Sequence, residues 1–190
     1  RQPGVLLLRG LLGYAALSCY FWSIQHLPLG DAVLLQYSHP VFVAAVAPFA
    51  LGESTGRWHW PLVLAALAGV ALIVGATGTL RSAALVGLGG AMMSGLAYLA
   101  VRKLAKTEHP LTILVWFPLA SVPLSLAASL GAGRAALPAS MSEVAGHLLV
   151  FGTALVGQVT LTQGLVRAGA ARATAVTMTG PVFGLLFGWL

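Results

Sequence analysis

Long apolar runs, interrupted at short intervals by charged or turn-forming residues, make up most of this chain. None alternates with the period of two that marks a half-buried strand. The runs are apolar all round, as lipid or a helix bundle demands. A helix needs about 20 apolar residues to cross a bilayer. On that measure the pattern predicts seven spans, at residues 10–27, 31–52, 60–79, 83–103, 111–131, 146–166 and 171–190. Connections are short except for 132–145, so neighbouring spans are expected to pack antiparallel. The predicted fold class is all-α, a polytopic membrane helix bundle.

The tripeptide Pro-Val-Phe occurs twice within this pattern, at Pro40–Phe42 in the second span and Pro181–Phe183 in the seventh. Laying one copy on the other also superposes Ala32 on Ala173, Gln36 on Thr177 and Ser38 on Thr179. The copies lie five spans apart, and an odd offset reverses the direction of crossing. Inverted repeats with a broken helix at membrane depth are a recurrent plan of secondary transporters. A repeat of five helices gives a complete bundle of ten. The chain, which starts on Arg1 and stops at Leu190 inside an apolar run, is then expected to be an internal portion holding the third to the ninth helix. Residues 1–79 would close the first repeat, and 83–190 would form the second without its last helix.

Composition excludes a soluble domain. Residues are 58% hydrophobic and 7% charged, against roughly 25% charged in soluble proteins. The net charge of +6 does not point to nucleic acid, because the ten Lys and Arg are scattered between apolar runs. They serve topology better. Taking alternate sides, Arg1, Arg9, Arg57, Arg102, Lys103, Lys106, Arg167 and Arg172 share one side, and only Arg81 and Arg134 take the other. The positive-inside rule makes the first side cytoplasmic, so the loops with Arg9, Arg57, Arg102–Lys106 and Arg167–Arg172 are expected inside. The excess of Arg over Lys, with abundant Ala, Gly and Leu, fits a GC-rich bacterial gene and hence an inner membrane. The single Cys19 excludes an intrachain disulfide and a Cys-cluster metal site. No metal and no cofactor are expected.

Further residues sharpen the reading. Arg9-Gly10-Leu-Leu-Gly13, a span ending in His26-Leu-Pro-Leu-Gly-Asp-Ala32, then Pro40-Val-Phe42 and Leu51-Gly52-Glu53 follow in order. Gly69-Val70-Ala-Leu-Ile-Val74 comes next, and Gln163 to Gly188, with Ala173 and Pro181, echoes the earlier region. Together these resemble an EamA-type transporter of the drug/metabolite transporter superfamily. The resemblance implies a ten-helix inner-membrane carrier of two inverted repeats around a central cavity, working by alternating access. It also implies cargo among amino acids, nucleobases, vitamins, S-adenosylmethionine or toxic organic compounds, often moved outward.

Within the spans, proline removes a backbone donor, so Pro40 should free the carbonyl of Gln36 and Pro181 that of Thr177. In hydrocarbon such carbonyls need partners, which places broken backbone against protein or a wet cavity. Gln36 and Thr177 are therefore cavity candidates, although the small residues around them also suit plain helix packing. His39 is read as the one ionisable side chain near a span midpoint, and such groups are functional by default. Substrate contact, proton coupling and a structural hydrogen bond to Gln36, Tyr37 or a neighbouring helix all remain open for it. Gln158 is the deepest polar residue of the sixth span. Tyr14, Tyr98 and Trp116 could line an aromatic path or pack as core. Pro118 and Pro123 are expected to kink the fifth span.

Neither paired carboxylates nor an H-E-x-x-H helix accompanies these groups, so no catalytic residue is assigned and an intramembrane enzyme is the lesser reading. A channel and a structural membrane subunit also stay open. The expected partners are a small-molecule substrate and the lipid bilayer; a homodimer is compatible with the pattern, and nucleic acid is not expected.

Overall fold

The computed structural model describes residues 2–52, 56–76, 82–133, 138, 140–168, 170–177 and 179, without the side chains of 73–76. Among them every regular element is a helix: α1 Pro3–His26, α2 Leu29–Gln36, α3 His39–Leu51, α4 His59–Ala76, α5 Ser82–Leu104, α6 Pro110–Gly131, α7 Met141–Arg167 and α8 Ala170–Thr177. Local signals account for the boundaries. Pro3 and Pro110 stand in the first turns of α1 and α6, where a missing N–H costs nothing. Ser140 caps α7, its hydroxyl accepting the Glu143 N–H at 3.3 Å. Gly52 ends α3 with φ of 65°, a left-handed conformation that favours glycine.

Five helical stretches are long and apolar enough to cross a membrane: Pro3–His26, Leu29–Leu51 (α2 and α3 together), Ser82–Leu104, Pro110–Gly131 and Met141–Arg167. The expected span at 60–79 is described as α4 as far as Ala76, apolar over His59–Leu72, and residues 77–79 lie outside the described residues. The span at 171–190 is described only as far as Thr177 in α8, so Pro181 and the second Pro-Val-Phe lie outside the described residues. Seven full crossings are thus not observed. α6 runs as one helix through Pro118 and Pro123.

The loop assignments of several cations are also corrected. Arg9 lies inside α1, Arg102 and Lys103 in the last turn of α5, Arg167 at the end of α7 and Arg172 in α8. The expected boundary at residue 10 treated a charge as a span end, but Pro3 starts the helix earlier and carries Arg9 into it. Arg102 is held by α7, its Nη1 donating to the carbonyls of Leu165 at 3.0 Å and Val166 at 2.7 Å. These are end-of-helix carbonyls that lack partners of their own.

α5 is the hub. It packs most extensively on α1 and also meets α2, α3, α7 and α8. Small residues allow this. Gly87, Gly90, Ala91, Ser94 and Gly95 are all buried on α5, and such stripes let membrane helices approach closely where no water drives them together. A Cβ on Gly90 would lie 2.8 Å from Cys19 Cβ and 3.2 Å from the Ala16 carbonyl. Gly10 of α1 meets α6 in the same way, against Ala120. Large apolar side chains face outward instead, including Phe21, Phe49, Leu62, Leu64 and Leu148 to Phe151, as a lipid-facing surface requires.

Gly90→Val is expected to force α1 away from α5 at a cost of about 1–3 kcal/mol. Gly89→Val, whose added Cβ meets nothing within 4 Å, makes the same change in helix propensity without the clash. Thermal unfolding midpoints in detergent should drop for the first and stay near wild type for the second; equal midpoints would refute the close α1–α5 contact.

Candidate functional site

The break between α2 and α3 builds the site. α2 ends at Gln36, Tyr37 and Ser38 form a turn, and α3 restarts at His39 with Pro40 in its first turn. Pro40 leaves the Gln36 carbonyl without its helical donor, as the sequence led one to expect. His39 replaces that donor: its Nδ1 lies 2.8 Å from the Gln36 oxygen. Ser38 closes the other side of the turn, its hydroxyl donating to the Leu35 carbonyl at 2.6 Å. The irregular backbone at this depth is therefore satisfied from within.

A carbonyl only accepts, so Nδ1 of His39 carries a hydrogen, and when the ring is neutral Nε2 is an acceptor. Nε2 lies 3.1 Å from the Thr177 hydroxyl of α8. That hydroxyl is also 2.6 Å from the Thr174 carbonyl. One hydroxyl hydrogen serves one of these acceptors at a time, which makes Thr177 a rotor between its own helix and His39. α5 supplies the third wall. Tyr98 meets the His39 ring edge-on, with centroids 5.0 Å apart. Gly95 admits the break, since a Cβ there would come 3.2 Å from the His39 carbonyl. Ser94 accepts from Gln36 Nε2 at 2.9 Å, while Gln36 Oε1 is buried with no partner among the described residues.

These groups line a cavity of about 760 Å³, within the range of roughly 300–1,000 Å³ found for small-molecule sites. Gln36, His39, Tyr98 and Thr177, all singled out from the sequence, lie in its wall. Tyr20 and Tyr37 add aromatic surface, α7 contributes Gly157, Thr160, Leu161 and Gly164, and α8 adds Arg172, Ala173 and Val176. Other candidates fall elsewhere. Tyr14 points its hydroxyl at the Leu124 carbonyl of α6 at 3.5 Å, and Trp116 packs against the apolar core around Leu6 and Ile113. Gln158 is not in the wall; its Oε1 accepts from Arg9 Nη2 at 3.3 Å.

Arg9 corrects the expectation that His39 alone is ionisable within a span. It is 3% exposed, with its guanidinium 4.3 Å from the centre of the Phe117 ring. Its Nε and Nη1 have no hydrogen-bond partner among the described residues. Pro3, as a helix-start signal, could have revealed it in the sequence. Ser94, a small residue among the Ala and Gly of α5, carried no comparable signal.

Comparison with known proteins bears on what such a cavity serves. The EamA-like transporter family matches residues 2–75 and 81–190, nearly the whole chain. The chain belongs to the EamA-like transporter family. Its similarity to the Pseudopaline exporter CntI of Pseudomonas aeruginosa reaches 33% identity over 202 residues, covering 100% of this chain and 70% of that protein. A Riboflavin transporter of Rhizobium johnstonii is 29% identical over 124 residues, covering 64% of this chain and 41% of that protein. Human Solute carrier family 35 member G1 is 35% identical over 69 residues, covering 36% and 19%. No solved structure matches at a significant level. An EamA-family chain with these apolar helices is a multi-pass membrane protein of a transporter family.

Removing the imidazole should expose how far the break depends on it. His39→Ala leaves the Gln36 carbonyl unpaired, which costs about 1–3 kcal/mol. Thr177→Val, which removes one neutral hydrogen bond while leaving that carbonyl satisfied, should cost nearer to about 1 kcal/mol. Thermal midpoints of the two variants in detergent test the order; Thr177→Val proving the more damaging would refute it.

Proposed function

We propose that the chain is the central part of a carrier that moves small organic solutes across the membrane by alternating access. Residues 1–79 and 83–190 then belong to two inverted five-helix repeats of a ten-helix protein, with the transport site between them. Export or exchange is the direction favoured, in keeping with the exporter among its relatives. The observation that carries the proposal is the contact of His39 with Thr177 across the cavity wall. It joins α3, which carries the first Pro-Val-Phe copy after the break at Gln36, to α8, which bears the position that superposes on Gln36 in the sequence. A polar, hydrogen-bonded break facing a cavity is what a midplane substrate site needs. It is also a joint at which helices can part.

Transport fits better than catalysis or conduction. An intramembrane enzyme would need a nucleophile paired with a base or a metal with its ligands, and the family consists of transporters by name. A channel is less favoured because an internal duplication already supplies the two-fold relation on which rocking carriers depend.

Two measurements test the proposal. Cysteines introduced at Gln36 and Thr177 should react with a water-soluble thiol reagent, whereas one at Leu64, on the apolar outer face, should not; equal protection of all three rules out a wet cavity. Untargeted metabolite profiling should find a compound displaced between cell and medium when the complete protein is overproduced. His39→Ala at equal membrane abundance should reduce that displacement at least several-fold. Unchanged transport would remove His39 from the site.

A further inference from the structure

The charge around the cavity has one sign. Arg172 of α8 lies in the wall, and no Asp or Glu among the described residues does. Behind the wall stands Arg9, buried to 3% exposure, with Nε and Nη1 lacking partners. Its only hydrogen-bond acceptor among the described residues is the neutral amide of Gln158, and Phe117 offers a ring face rather than a charge. A buried guanidinium whose partners among the described residues are all neutral is costly to hold. Enclosed by protein, a charge is screened less than an exposed one, and its field reaches further. Gln158 connects the two places, since it holds Arg9 and directly follows Gly157, which lines the cavity.

We infer that the cavity selects organic anions, solutes bearing a carboxylate or phosphate on a frame small enough for the aromatic wall. This deepens the carrier reading and rests on it. Arg172 meets the anionic group as it enters. Arg9 holds the positive potential inside as a positioning residue that acts through the field rather than by touching the solute. Tyr20, Tyr37 and Tyr98 offer ring faces to the rest of the molecule. The structural role that competes with this is simple anchoring of α1 by the bonds of Arg9 to Gln158 and Phe117. It makes a different prediction, because anchoring needs no net charge in the cavity.

The test reads the potential directly and needs no known substrate. In the complete protein with Cys19→Ala and any cysteine outside these 190 residues also replaced, single cysteines are placed in the wall by Leu17→Cys on α1 and Val176→Cys on α8. Each is reacted with the anionic 2-sulfonatoethyl and the cationic 2-trimethylammonioethyl methanethiosulfonates, with rates normalised to those of free 2-mercaptoethanol. The anionic reagent should be favoured at both positions. Arg172→Gln and Arg9→Gln should each lower the preference by about tenfold, and Arg172→Lys and Arg9→Lys should keep it. A preference for the cation, or one unaffected by both Gln variants, overturns the inference while leaving the cavity intact. Failure of both reagents at both positions removes the wet cavity itself and the inference with it. Thermal stability separates the roles of Arg9: Arg9→Met should unfold at the wild-type temperature or above it, whereas an anchoring arginine would give a marked loss.

Discussion

A single backbone carbonyl, freed by a proline and taken up by a side chain, organises the cavity side of this molecule. In hydrocarbon no water is available to take a hydrogen bond that a proline has cancelled, so the deficit at Gln36 must be made good by the protein. His39 makes it good through Nδ1. That choice of partner orients the ring, leaves Nε2 facing α8, and sets an imidazole in the cavity wall. A requirement of covalent geometry thereby becomes a placed functional group, with Ser38 closing the turn beside it.

The neighbours of the break follow from its shape. α5 can lie against it only because Gly95 has no side chain to meet the His39 carbonyl. Ser94 and Tyr98, on the same side of that helix, then reach Gln36 and the His39 ring. The small residues that continue toward Gly87 bring α1 into the same compact group. Close approach here compensates for the missing hydrophobic drive between helices, because lipid is as apolar as the side chains it would replace. The bulky apolar residues are accordingly spent on the outer surface.

Charge is distributed differently from what a positive-inside count assumes. Arg57 and Lys106 do lie in connections between helices. Arg102 instead ties the end of α5 to the carbonyls closing α7, and Arg9 is enclosed among α1, α6 and α7. A cation that caps carbonyls lowers the cost of ending a helix. A cation enclosed with only neutral partners among the described residues raises the cost of folding.

Sequence alone determined the helical, membrane-embedded class, because period and polarity are local properties that any apolar run of sufficient length displays. It also determined the break at Pro40 and the freeing of the Gln36 carbonyl, since proline's missing N–H acts on a fixed neighbour. The motif order was enough to point to the family. Gln36, His39, Tyr98 and Thr177 were legible as candidates because polar and aromatic groups stand out in apolar runs. Tertiary structure decided which of them meet. Tyr14, Trp116 and Gln158 looked equivalent to the others in one dimension, and only the rotation of each helix against its neighbours turned them toward α6, the apolar core and Arg9. The partner of His39 lies 138 positions away, beyond the reach of any local signal. Arg9 was read as a loop cation because a charge resembles a span end, and only packing between helices reveals that it is buried.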